Sequence, residues 1–374
     1  MKKTILYFSS FGHSRWGGQK SLFYLVTGLD KRKFKPVVCI PIDDGLGKDL
    51  RDKNVEVIVT SLPKVLSFRI WAVFMAIKKI LSIMKQSKAH LVHTDGPRNT
   101  FYAGLAARLL NIPLVWHVRV SDRDIYDPIL YVLSSKIVLV AQSIRKRFNW
   151  AKKSEKFVTI YNGIDFMRFN SQDKTNPECD YQNDKEVFLM VSVGRIEPLK
   201  GQHYIIEACG MLKDVIKKFN LLIIGDVTDR AYMEKCKKIA QDYGIQDRVK
   251  YIPYQNDVEK ILSAASVFIS TSLSEAFPRS IIEAMAAGIP VIVTDVGGCT
   301  EAVENEISGY VIPPANAKAL AEKITQLYQN KDLRRKIIEK ARGRVESMFT
   351  MEKNLRQTES LYDELISTKS TTHM

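Results

Sequence analysis

The sequence predicts an α/β protein made of two doubly wound, Rossmann-like domains, and three observations lead to this fold class. Strand-length apolar segments alternate with helix-length segments along the whole chain, which is the pattern of parallel sheets covered by helices. A length of 374 residues favours two domains over one. A polar, aperiodic stretch at residues 170–185, NSQDKTNPECDYQNDK, interrupts the alternation near its middle, so we expect an interdomain linker there.

Seven apolar segments in the first half are predicted as strands of one parallel sheet: residues 4–8, 37–40, 55–59, 91–94, 114–117, 137–140 and 158–160. A second sheet is predicted from residues 187–193, 221–224, 249–252, 267–271 and 291–293, with helices near 201–213, 230–243, 257–264 and 280–287. Further helices are expected at 317–329, 332–349 and 351–366, followed by a disordered tail at 367–374. The predicted divisions are a first domain at 1–168, a linker at 169–186, a second domain at 187–349, and a closing helix and tail at 350–374.

The formal net charge of +15 is concentrated in the first half of the chain. Residues 1–165 contain 28 Lys and Arg against 12 Asp and Glu, a net charge of +16, whereas the remaining residues carry a net charge of −1. This asymmetry indicates a polyanionic partner, either a membrane surface or a nucleic acid. The basic residues lack the aromatic interleaving of nucleic-acid stacking platforms, and no RNA- or DNA-binding module pattern is present. We therefore expect no nucleic-acid partner.

The cysteines and the first residues indicate a cellular compartment. Five scattered cysteines, without a Cys-x-x-Cys pair, fit free thiols in a reducing cytoplasm better than disulfides or a zinc site. The opening MKKTILYFSS predicts a first strand and not a signal peptide. We expect a cytoplasmic protein that is peripheral on the inner membrane face if its basic half binds lipid.

Residues 68–86, FRIWAVFMAIKKILSIMKQ, are predicted as a long helix that is apolar nearly all round. The segment is too short to span a bilayer, and Lys78-Lys79 falls where the bilayer centre would lie. Two interpretations stay open: the helix lies on anionic lipid, or it belongs to the core of a basic domain.

The segment from Ser270 to Glu304 contains the most informative candidate site residues, and it is predicted to form a strand, a loop, a helix and a second strand. It presents Glu275 on the loop and Glu283 on the helix. Ligands bind at the carboxyl ends of parallel strands, so both carboxylates can reach the hydroxyls of one small polar ligand, while the helix start near Ser280 favours a phosphate. The alternative is that Ser280-x-x-Glu283 is a capping box that closes its own helix.

This segment resembles the donor-binding core of the retaining glycosyltransferases of family 4, also called glycosyl transferases group 1. The resemblance extends along nearly the whole chain and makes Glu275 and Glu283 the two-glutamate motif of that family. It implies a GT-B fold, in which the two domains face a cleft and the C-terminal helix crosses back to the first domain. It also implies a nucleotide-sugar substrate such as a UDP- or GDP-sugar, with no metal and no further cofactor.

A second motif lies in GRIEPLKG at residues 194–201, between a predicted strand and a helix. Arg195 and Lys200 would flank a pocket beside a helix N-terminus, a suitable place for a diphosphate. The alternative is a pair of solvated loop charges. The resemblance supports diphosphate binding, because the segment matches the family pattern whose Arg and Lys bind the donor pyrophosphate. We also place Ser280, Phe277, Gly17 and Gly18 among the donor-binding residues.

Three positions in the first domain are candidates for sugar or acceptor contacts. Gly17 and Gly18 follow the first strand and open a helix, where glycine lets a ligand approach the backbone. The fourth position of this motif in relatives is often Glu, but here it is Lys20. His117 ends a strand, and the resemblance places it near the transferred sugar, where hydrogen bonding is favoured over general-base work; a structural role is the alternative. Asp95 and Arg119 are weaker candidates.

Other patterns in the sequence are weaker indications of function. Asp122-Arg123-Asp124 resembles a metal-binding Asp-x-Asp but follows no suitable strand end, and His90 and His93 point in different directions on a strand. We therefore predict no metal site. The resemblance places residues 251–257 near the nucleobase, and Gly225-Asp226 is a turn close by.

The predicted function is transfer of a sugar, with retention of configuration, from a nucleoside-diphosphate sugar to a hydroxyl of a lipid-linked or surface-polysaccharide acceptor. Arg195, Lys200, Ser280 and Glu283 would bind the donor, and Glu275 would position the sugar ring. Two alternatives stay open: a sugar-nucleotide epimerase of similar fold, and a basic nucleic-acid-binding protein.

Overall fold

The computed structural model describes residues 2–65, 70–151, 153–170 and 187–371. The chain divides into two compact units. The first unit comprises residues 1–163 together with 351–374, and the second comprises residues 164–350. Ile164 belongs to the second unit, where its backbone N–H donates to the carbonyl of Phe349 at 2.9 Å, whereas the first domain was expected to extend to residue 168. Nearly all of the predicted linker at 169–186 lies outside the described residues.

The first unit contains a sheet of seven parallel strands in the order β3-β2-β1-β4-β5-β6-β7. The strands are β1 Lys3–Phe8, β2 Phe34–Ile40, β3 Glu56–Val59, β4 Leu91–Asp95, β5 Leu114–Val118, β6 Lys136–Leu139 and β7 Phe157–Thr159. The α-helices are α1 Gly17–Gly28, α2 Leu46–Asp52, α3 Ile70–Gln86, α4 Pro97–Leu109 and α5 Asp127–Leu133. A 3₁₀ segment covers Gln142–Ala151.

The second unit contains a sheet of six parallel strands in the order β10-β9-β8-β11-β12-β13. Its strands are β8 Phe188–Val193, β9 Phe219–Ile224, β10 Val249–Ile252, β11 Val267–Ser270, β12 Val291–Thr294 and β13 Tyr310–Ile312. Its α-helices are α6 Phe166–Asn170, α7 Gln202–Leu212, α8 Arg230–Asp242, α9 Glu259–Ala264, α10 Arg279–Ala286, α11 Cys299–Ala302, α12 Ala317–Gln329 and α13 Lys331–Met348. Two short 3₁₀ segments cover Pro198–Lys200 and Gln246–Arg248.

The predicted fold class is confirmed, and the reason is the burial of the strands. Strands such as LVWHV in β5 and FLMVSV in β8 are apolar along most of their length. Both faces of a parallel sheet are covered by helices, so its strands read as continuous apolar runs and not as alternating ones. Strand β13 escaped prediction because it has only three residues, between Gly309 and Pro313, which a sequence pattern reads as a turn.

The last helix, α14 Met351–Thr371, belongs to the first unit. Its side chains Leu361, Tyr362 and Ile366 are buried in the core of that unit, and the ring of Tyr362 lies 5.9 Å from that of Phe34. The chain thus returns to the unit in which it began, as the resemblance implies. The disordered tail predicted from residue 367 was wrong as far as Thr371, because the polar segment STKST contains no Gly or Pro to end a helix that is already formed; residues 372–374 lie outside the described part.

Both sheets reverse their strand order once, and these positions organise the molecule. In the first unit the order reverses between β1 and β4, and in the second between β8 and β11. The loops after the two strands at such a switch point diverge and leave a crevice at the carboxyl edge of the sheet, where α/β proteins bind ligands. The loops that follow β8 and β11 carry Lys200 and Glu275.

The described cysteines Cys39, Cys209, Cys236 and Cys299 are free and buried, and Cys179 lies outside the described residues. Burial raises the pKa of the Cys39 and Cys209 thiols to about 12, so both remain protonated and pack as small apolar groups. Among the described residues, no helix has both the length and the apolar composition that a transmembrane span requires.

We predict that the return of α14 is required for the stability of the first unit. Leu361→Ala should lower the free energy of unfolding by about 2–5 kcal/mol, because it leaves a cavity in a packed core. The matched control is Gln357→Ala, at an exposed position of the same helix, which should change the stability little. The measurement is thermal unfolding of both variants; equal midpoints would contradict the assignment.

Candidate functional site

The loops at the switch point of the second unit are joined by hydrogen bonds. The backbone N–H of Leu273 donates to the carbonyl of Leu199 at 2.8 Å, and the hydroxyl of Thr271 donates to the carbonyl of Gly201 at 2.9 Å. Gly201 itself has φ +63°, and a Cβ there would lie 2.3 Å from the carbonyl oxygen of Thr271. Only glycine therefore allows the two loops to approach this closely.

These joined loops bring Lys200 and Glu275 into contact. The Lys200 ammonium forms an ion pair with Glu275 Oε1, and the same oxygen accepts a hydrogen bond from the Ser272 hydroxyl at 3.0 Å. Both charged side chains are mostly buried, with 21% and 13% of their surfaces exposed. The structure therefore places the predicted phosphate-binding cation directly beside the predicted sugar-positioning carboxylate.

The Gly297-Gly298 turn after β12 holds Glu275 from the other side. Gly297 has φ +48°, and a Cβ at that position would lie 1.7 Å from the carbonyl oxygen of Glu275. The hydroxyl of Thr294, at the end of β12, also donates to the carbonyl of Ser272 at 2.5 Å. The sequence indicated a turn at Gly297, but its contact with the Glu275 loop is visible only in the structure.

Arg195 lies on the first of these loops and has its own carboxylate partner. Its Nη2 lies 2.9 Å from Glu197 Oε1, and Glu197 Oε2 accepts from the Thr228 hydroxyl at 3.0 Å. The side chain of Gln202 donates to the carbonyl of Arg195 at 2.7 Å, which fixes the backbone. Glu197 and Gln202 were not predicted as site residues, although both lie within or next to the GRIEPLKG motif.

The turn at Gly225-Asp226 supports the Arg195 loop. A Cβ on Gly225 would lie 2.1 Å from the carbonyl oxygen of Gly194, and the carbonyl of Asp226 accepts from the backbone N–H of Ile196 at 2.8 Å. This turn therefore shapes the loop through its backbone.

Helix α10 does not begin with the capping box that the sequence offered as an alternative. Its N-cap residue is Pro278, which has no side-chain hydrogen bond, and Ser280 is already the second residue of the helix. A capping box needs its serine at the N-cap and its glutamate three residues later. Instead, Glu283 Oε1 lies 3.3 Å from Nη2 of Arg279, one turn earlier.

Phe277 was expected among the donor-binding residues, but the structure gives its ring a packing role. The side chain is buried, with 4% exposed, and its ring lies 5.3 Å from that of Phe349. Burial of this large apolar side chain against apolar neighbours is favourable, and a donor-binding role for Phe277 stays a prediction.

Residues 251–257, which were expected near the nucleobase, begin in β10 at the edge of the sheet and continue into the loop after it. Asp257 accepts a hydrogen bond from Nη2 of Arg168 at 2.6 Å, and Arg168 also pairs with Glu259. Arg168 was not predicted; no local pattern reveals a partner that lies about ninety residues earlier in the chain.

At the switch point of the first unit, Asp95 holds the loop after β1. Its Oδ1 accepts from both the backbone N–H and the hydroxyl of Ser10, each at 2.7 Å. The carboxyl group is buried, and burial raises its pKa while the Ser10 hydrogen bonds oppose that shift. Asp95 therefore shapes the loop that leads to Gly17.

Helix α1 begins at Gly17 after the N-cap Trp16, whose side chain makes no cap hydrogen bond. A Cβ on Gly18 would lie 3.6 Å from Cδ of Arg119. The structure thus brings the Gly17-Gly18 turn and Arg119 together. Lys20, which stands at the fourth position of the motif, is part of the first turn of the helix.

His117 is the penultimate residue of β5 and is buried, with 4% exposed. Its Nδ1 lies 3.1 Å from Nε2 of His93 and 3.4 Å from Nη2 of Arg119. Burial, followed by the charge of Arg119 and the neighbouring His93, lowers the pKa of His117 well below its usual value. The pKa of His93 falls to about 3 for the first two of these reasons, so both imidazoles are neutral near pH 7.

The histidines and aspartates that were considered as metal ligands have other contacts in the structure. His90 accepts from the backbone N–H of Thr4 at 3.0 Å, whereas His93 contacts Tyr362 and His117, so the two histidines have different partners. Asp124 accepts from the backbone N–H of Tyr126 at 3.0 Å. Across the described ranges, no three His, Cys, Asp or Glu side chains are grouped as metal ligands would be.

Two family models match the chain. The model described as "Glycosyltransferase Family 4" matches residues 17–168, and the model described as "Glycosyl transferases group 1" matches residues 174–344. Together they cover most of both units. These matches favour the glycosyltransferase prediction over the epimerase and nucleic-acid-binding alternatives.

Similar proteins are found along the full length of the chain. The capsular polysaccharide biosynthesis glycosyltransferase CapM of Staphylococcus aureus is 23% identical over 87% of this chain and 94% of its own. The UDP-Gal:alpha-D-GlcNAc-diphosphoundecaprenol alpha-1,3-galactosyltransferase of Escherichia coli is 25% identical over 78% of this chain and 79% of its own. A solved glycosyltransferase from Rickettsia africae ESF-5 has a TM-score of 0.87 and 25% identity, and covers 98% of this chain and 99% of its own.

We predict that Gly297→Ala disrupts the Glu275 loop. A Cβ at this positive-φ position must displace the Glu275 carbonyl, so the variant should lose at least about 2 kcal/mol of stability. The matched control is Gly343→Ala in α13, where a Cβ meets open space and alanine should stabilise the helix by about 0.5–1 kcal/mol. Thermal unfolding of the two variants is the measurement, and a similar shift in both would refute the close approach.

Proposed function

Because the chain belongs to the family 4 glycosyltransferases (glycosyl transferases group 1), we propose that it transfers a sugar from a nucleoside-diphosphate sugar to a hydroxyl of a lipid-linked or surface-polysaccharide acceptor. The observation that carries this proposal is the Lys200–Glu275 pair at the switch point of the second sheet. The two relatives support the donor and acceptor classes, since one is named for UDP-Gal and a diphosphoundecaprenol-linked sugar and the other for capsular polysaccharide biosynthesis.

The donor diphosphate would be held by Lys200 and Arg195. Both cations are partly buried beside carboxylates, so they are oriented before the ligand arrives. A diphosphate offers several anionic oxygens, which accept charge-assisted hydrogen bonds from ammonium and guanidinium groups. The backbone N–H groups at the start of α10, where Pro278 supplies no side-chain cap, would add a further anion-binding element.

Glu275 would change partner when the donor binds. As the diphosphate takes over Lys200, the Glu275 carboxylate becomes free to accept hydrogen bonds from sugar hydroxyls, and Ser272 keeps it oriented. Glu283 would accept from the ribose hydroxyls of the nucleotide. Each carboxylate can accept from two neighbouring hydroxyls, which matches a diol.

During transfer, the acceptor oxygen forms a bond to the anomeric carbon and the bond from that carbon to the diphosphate oxygen breaks. The electron pair of the broken bond stays on the nucleoside diphosphate, which leaves with additional negative charge, and the proton of the acceptor hydroxyl passes to the departing phosphate oxygen or to water. Lys200 and Arg195 would stabilise the departing charge, so the donor set supports a reaction without a metal ion. We propose retention of configuration, with Glu275 as a positioning carboxylate in the second unit. In the first unit, His117 would donate a hydrogen bond to a sugar oxygen of a substrate.

The test of the donor site is a binding panel with UDP, GDP and ADP. We expect one of them to stabilise the protein by about 2.7 kcal/mol at a hundred times its dissociation constant. Lys200→Ala should abolish the stabilisation, whereas the exposed control Lys340→Ala should keep it. Glu275→Gln should keep or tighten diphosphate binding, because it frees Lys200, yet slow sugar transfer by about 100-fold or more. If none of the three nucleotides binds, or if Lys200→Ala binds like the control, the proposed site is wrong.

We further propose that the first unit docks on an anionic membrane surface through α3. The side chains of Trp71, Phe74 and Met75 are 72%, 56% and 45% exposed, and the two rings are 5.8 Å apart. Exposed Lys78 and Lys79 follow on the next turn. Aromatic groups beside lysines suit the boundary between acyl chains and anionic headgroups, and the opposite face of the helix is packed into the unit through residues such as Ile80.

The position of α3 supports this proposal. The helix follows β3, so its first turns lie at the carboxyl edge of the parallel sheet, the edge that also carries His117. An acceptor sugar anchored to a membrane lipid would therefore reach the edge where the candidate residues lie. The core interpretation and the lipid interpretation of α3 are then compatible, because one face of the helix packs into the first unit and the opposite face is exposed.

The test uses sedimentation with vesicles of phosphatidylglycerol and of phosphatidylcholine. We expect binding to the anionic vesicles that weakens at high salt. The double variant Trp71→Ser, Phe74→Ser should reduce it by about tenfold or more, because each buried aromatic side chain contributes roughly 1.5–3 kcal/mol. The control is Met211→Ser, Val215→Ser, which removes two similarly exposed apolar side chains from the second unit. Equal binding of both double variants would exclude α3, and binding to an oligonucleotide but not to vesicles would favour the nucleic-acid alternative.

A further inference from the structure

A chain of buried polar side chains runs through the first unit and ends at His117. The phenol oxygens of Tyr7 and Tyr362 are 3.0 Å apart, and the Tyr362 oxygen lies 2.5 Å from Nδ1 of His93. Nε2 of His93 then lies 3.1 Å from Nδ1 of His117. All four side chains are buried, with at most 4% exposed. Strands β1, β4 and β5 and helix α14 therefore each contribute one member.

Two proton arrangements satisfy such a chain, and they give His117 opposite properties. If protons are donated from the tyrosines towards His117, its Nδ1 is an acceptor and its outer nitrogen, Nε2, carries the proton. If they are donated in the reverse direction, Nδ1 carries the proton and Nε2 is a bare lone pair. In a neutral imidazole one nitrogen donates and the other accepts. The direction thus decides whether His117 offers a ligand a donor or a base.

Arg119 distinguishes the two directions. Its Nη2 lies 3.4 Å from Nδ1 of His117, and a guanidinium group has donors but no acceptor. In the reverse direction a proton on Nδ1 would face the N–H groups of this guanidinium, whereas a lone pair on Nδ1 can accept from them, so Arg119 favours Nδ1 as an acceptor. His93 then donates through Nε2 and accepts through Nδ1 from Tyr362. Burial holds the Tyr362 pKa well above its usual value, so the phenol retains the proton that it donates.

The outer nitrogen of His117 is left available by this arrangement. Nε2 is buried and has no hydrogen-bond partner within the residues that the structure describes. A buried polar atom without a hydrogen-bond partner costs free energy. A ligand oxygen beside Nε2 could form the missing hydrogen bond. The neighbouring Arg119 and the Gly18 turn lie on the same edge of the sheet.

We propose that Tyr362 and His93 are positioning residues that hold His117 in its Nε2–H form, so that His117 donates a hydrogen bond to a sugar oxygen of a substrate bound at this edge of the first sheet. This inference rests on the proposed function for the identity of the ligand, but the proton arrangement can be measured without it. Helix α14 then has two roles, because it fills the core of the first unit and also supplies the phenol that orients the histidine pair.

The test combines histidine nitrogen NMR with kinetics. In ¹⁵N-histidine-labelled protein, with signals assigned through His93→Gln and His117→Gln, we expect His117 protonated at Nε2 alone, and His93 likewise. Tyr362→Phe removes the donor to His93 and should produce a mixture of the two forms at His117. It should also lower kcat by about ten- to hundredfold, with the nucleotide affinity unchanged because the donor residues belong to the second unit.

The matched control is Tyr102→Phe, which deletes another buried phenol hydroxyl of the first unit and should leave both the histidine spectrum and kcat unchanged. Arg119→Met is the second variant and should also yield mixed forms of His117, which keeps the test decisive if Tyr362→Phe folds poorly. A proton on Nδ1 of His117 in the unaltered protein would overturn the proposed direction. Equal spectra and kcat for Tyr362→Phe and Tyr102→Phe would overturn the positioning role. If no nucleotide sugar binds while His117 remains protonated at Nε2, the proposed function fails and the proton arrangement stands.

Discussion

The ion pair between Lys200 and Glu275 is the contact on which the candidate site depends. It joins two loops that leave adjacent strands in divergent directions, and the hydrogen bonds around it serve to keep those loops together. A cation and a carboxylate that are both mostly buried have lost much of their hydration, and each compensates the other. A ligand with anionic oxygens and hydroxyl groups can replace both partners at once. Binding is then an exchange of charge-assisted hydrogen bonds and not the burial of new charge.

In the first unit, the His117 imidazole is oriented by hydrogen bonds between neutral groups and not by an ion pair. His117 and His93 lie so deep that burial and the charge of Arg119 keep both neutral. Because both rings are neutral, the direction of the hydrogen bond between them depends on their neighbours. Arg119 can donate hydrogen bonds but cannot accept them, so it favours one direction. Charged pairs at the edge of one sheet and neutral donors at the edge of the other are two ways to preorganise a site before the ligand is present.

Much of the fold could be predicted because parallel sheets leave a strong local signal. Strands covered on both faces are short apolar runs, and the helices between them are long enough to show their own pattern. The failures have local causes. Strand β13 is three residues long and flanked by turn formers, and the end of α14 is polar in composition although nothing in it breaks a helix. Both depend on neighbours that a short window of sequence does not contain.

The residue pattern was enough to predict the two α/β units, the loops that follow their strands, and Arg195, Lys200, Glu275 and Glu283 as candidate site residues. The contacts that each candidate makes are seen only in the folded chain. Residues Lys200 and Glu275 are 75 positions apart, and His93 meets a tyrosine 269 positions away. The start of α10 at Arg279 likewise replaced a plausible capping box by an ion pair. Hydrogen bonds and ion pairs form only when the two polar atoms lie within about 3–4 Å of each other. The path of each loop through space decides which side chains come that close, and a local residue pattern does not contain that path.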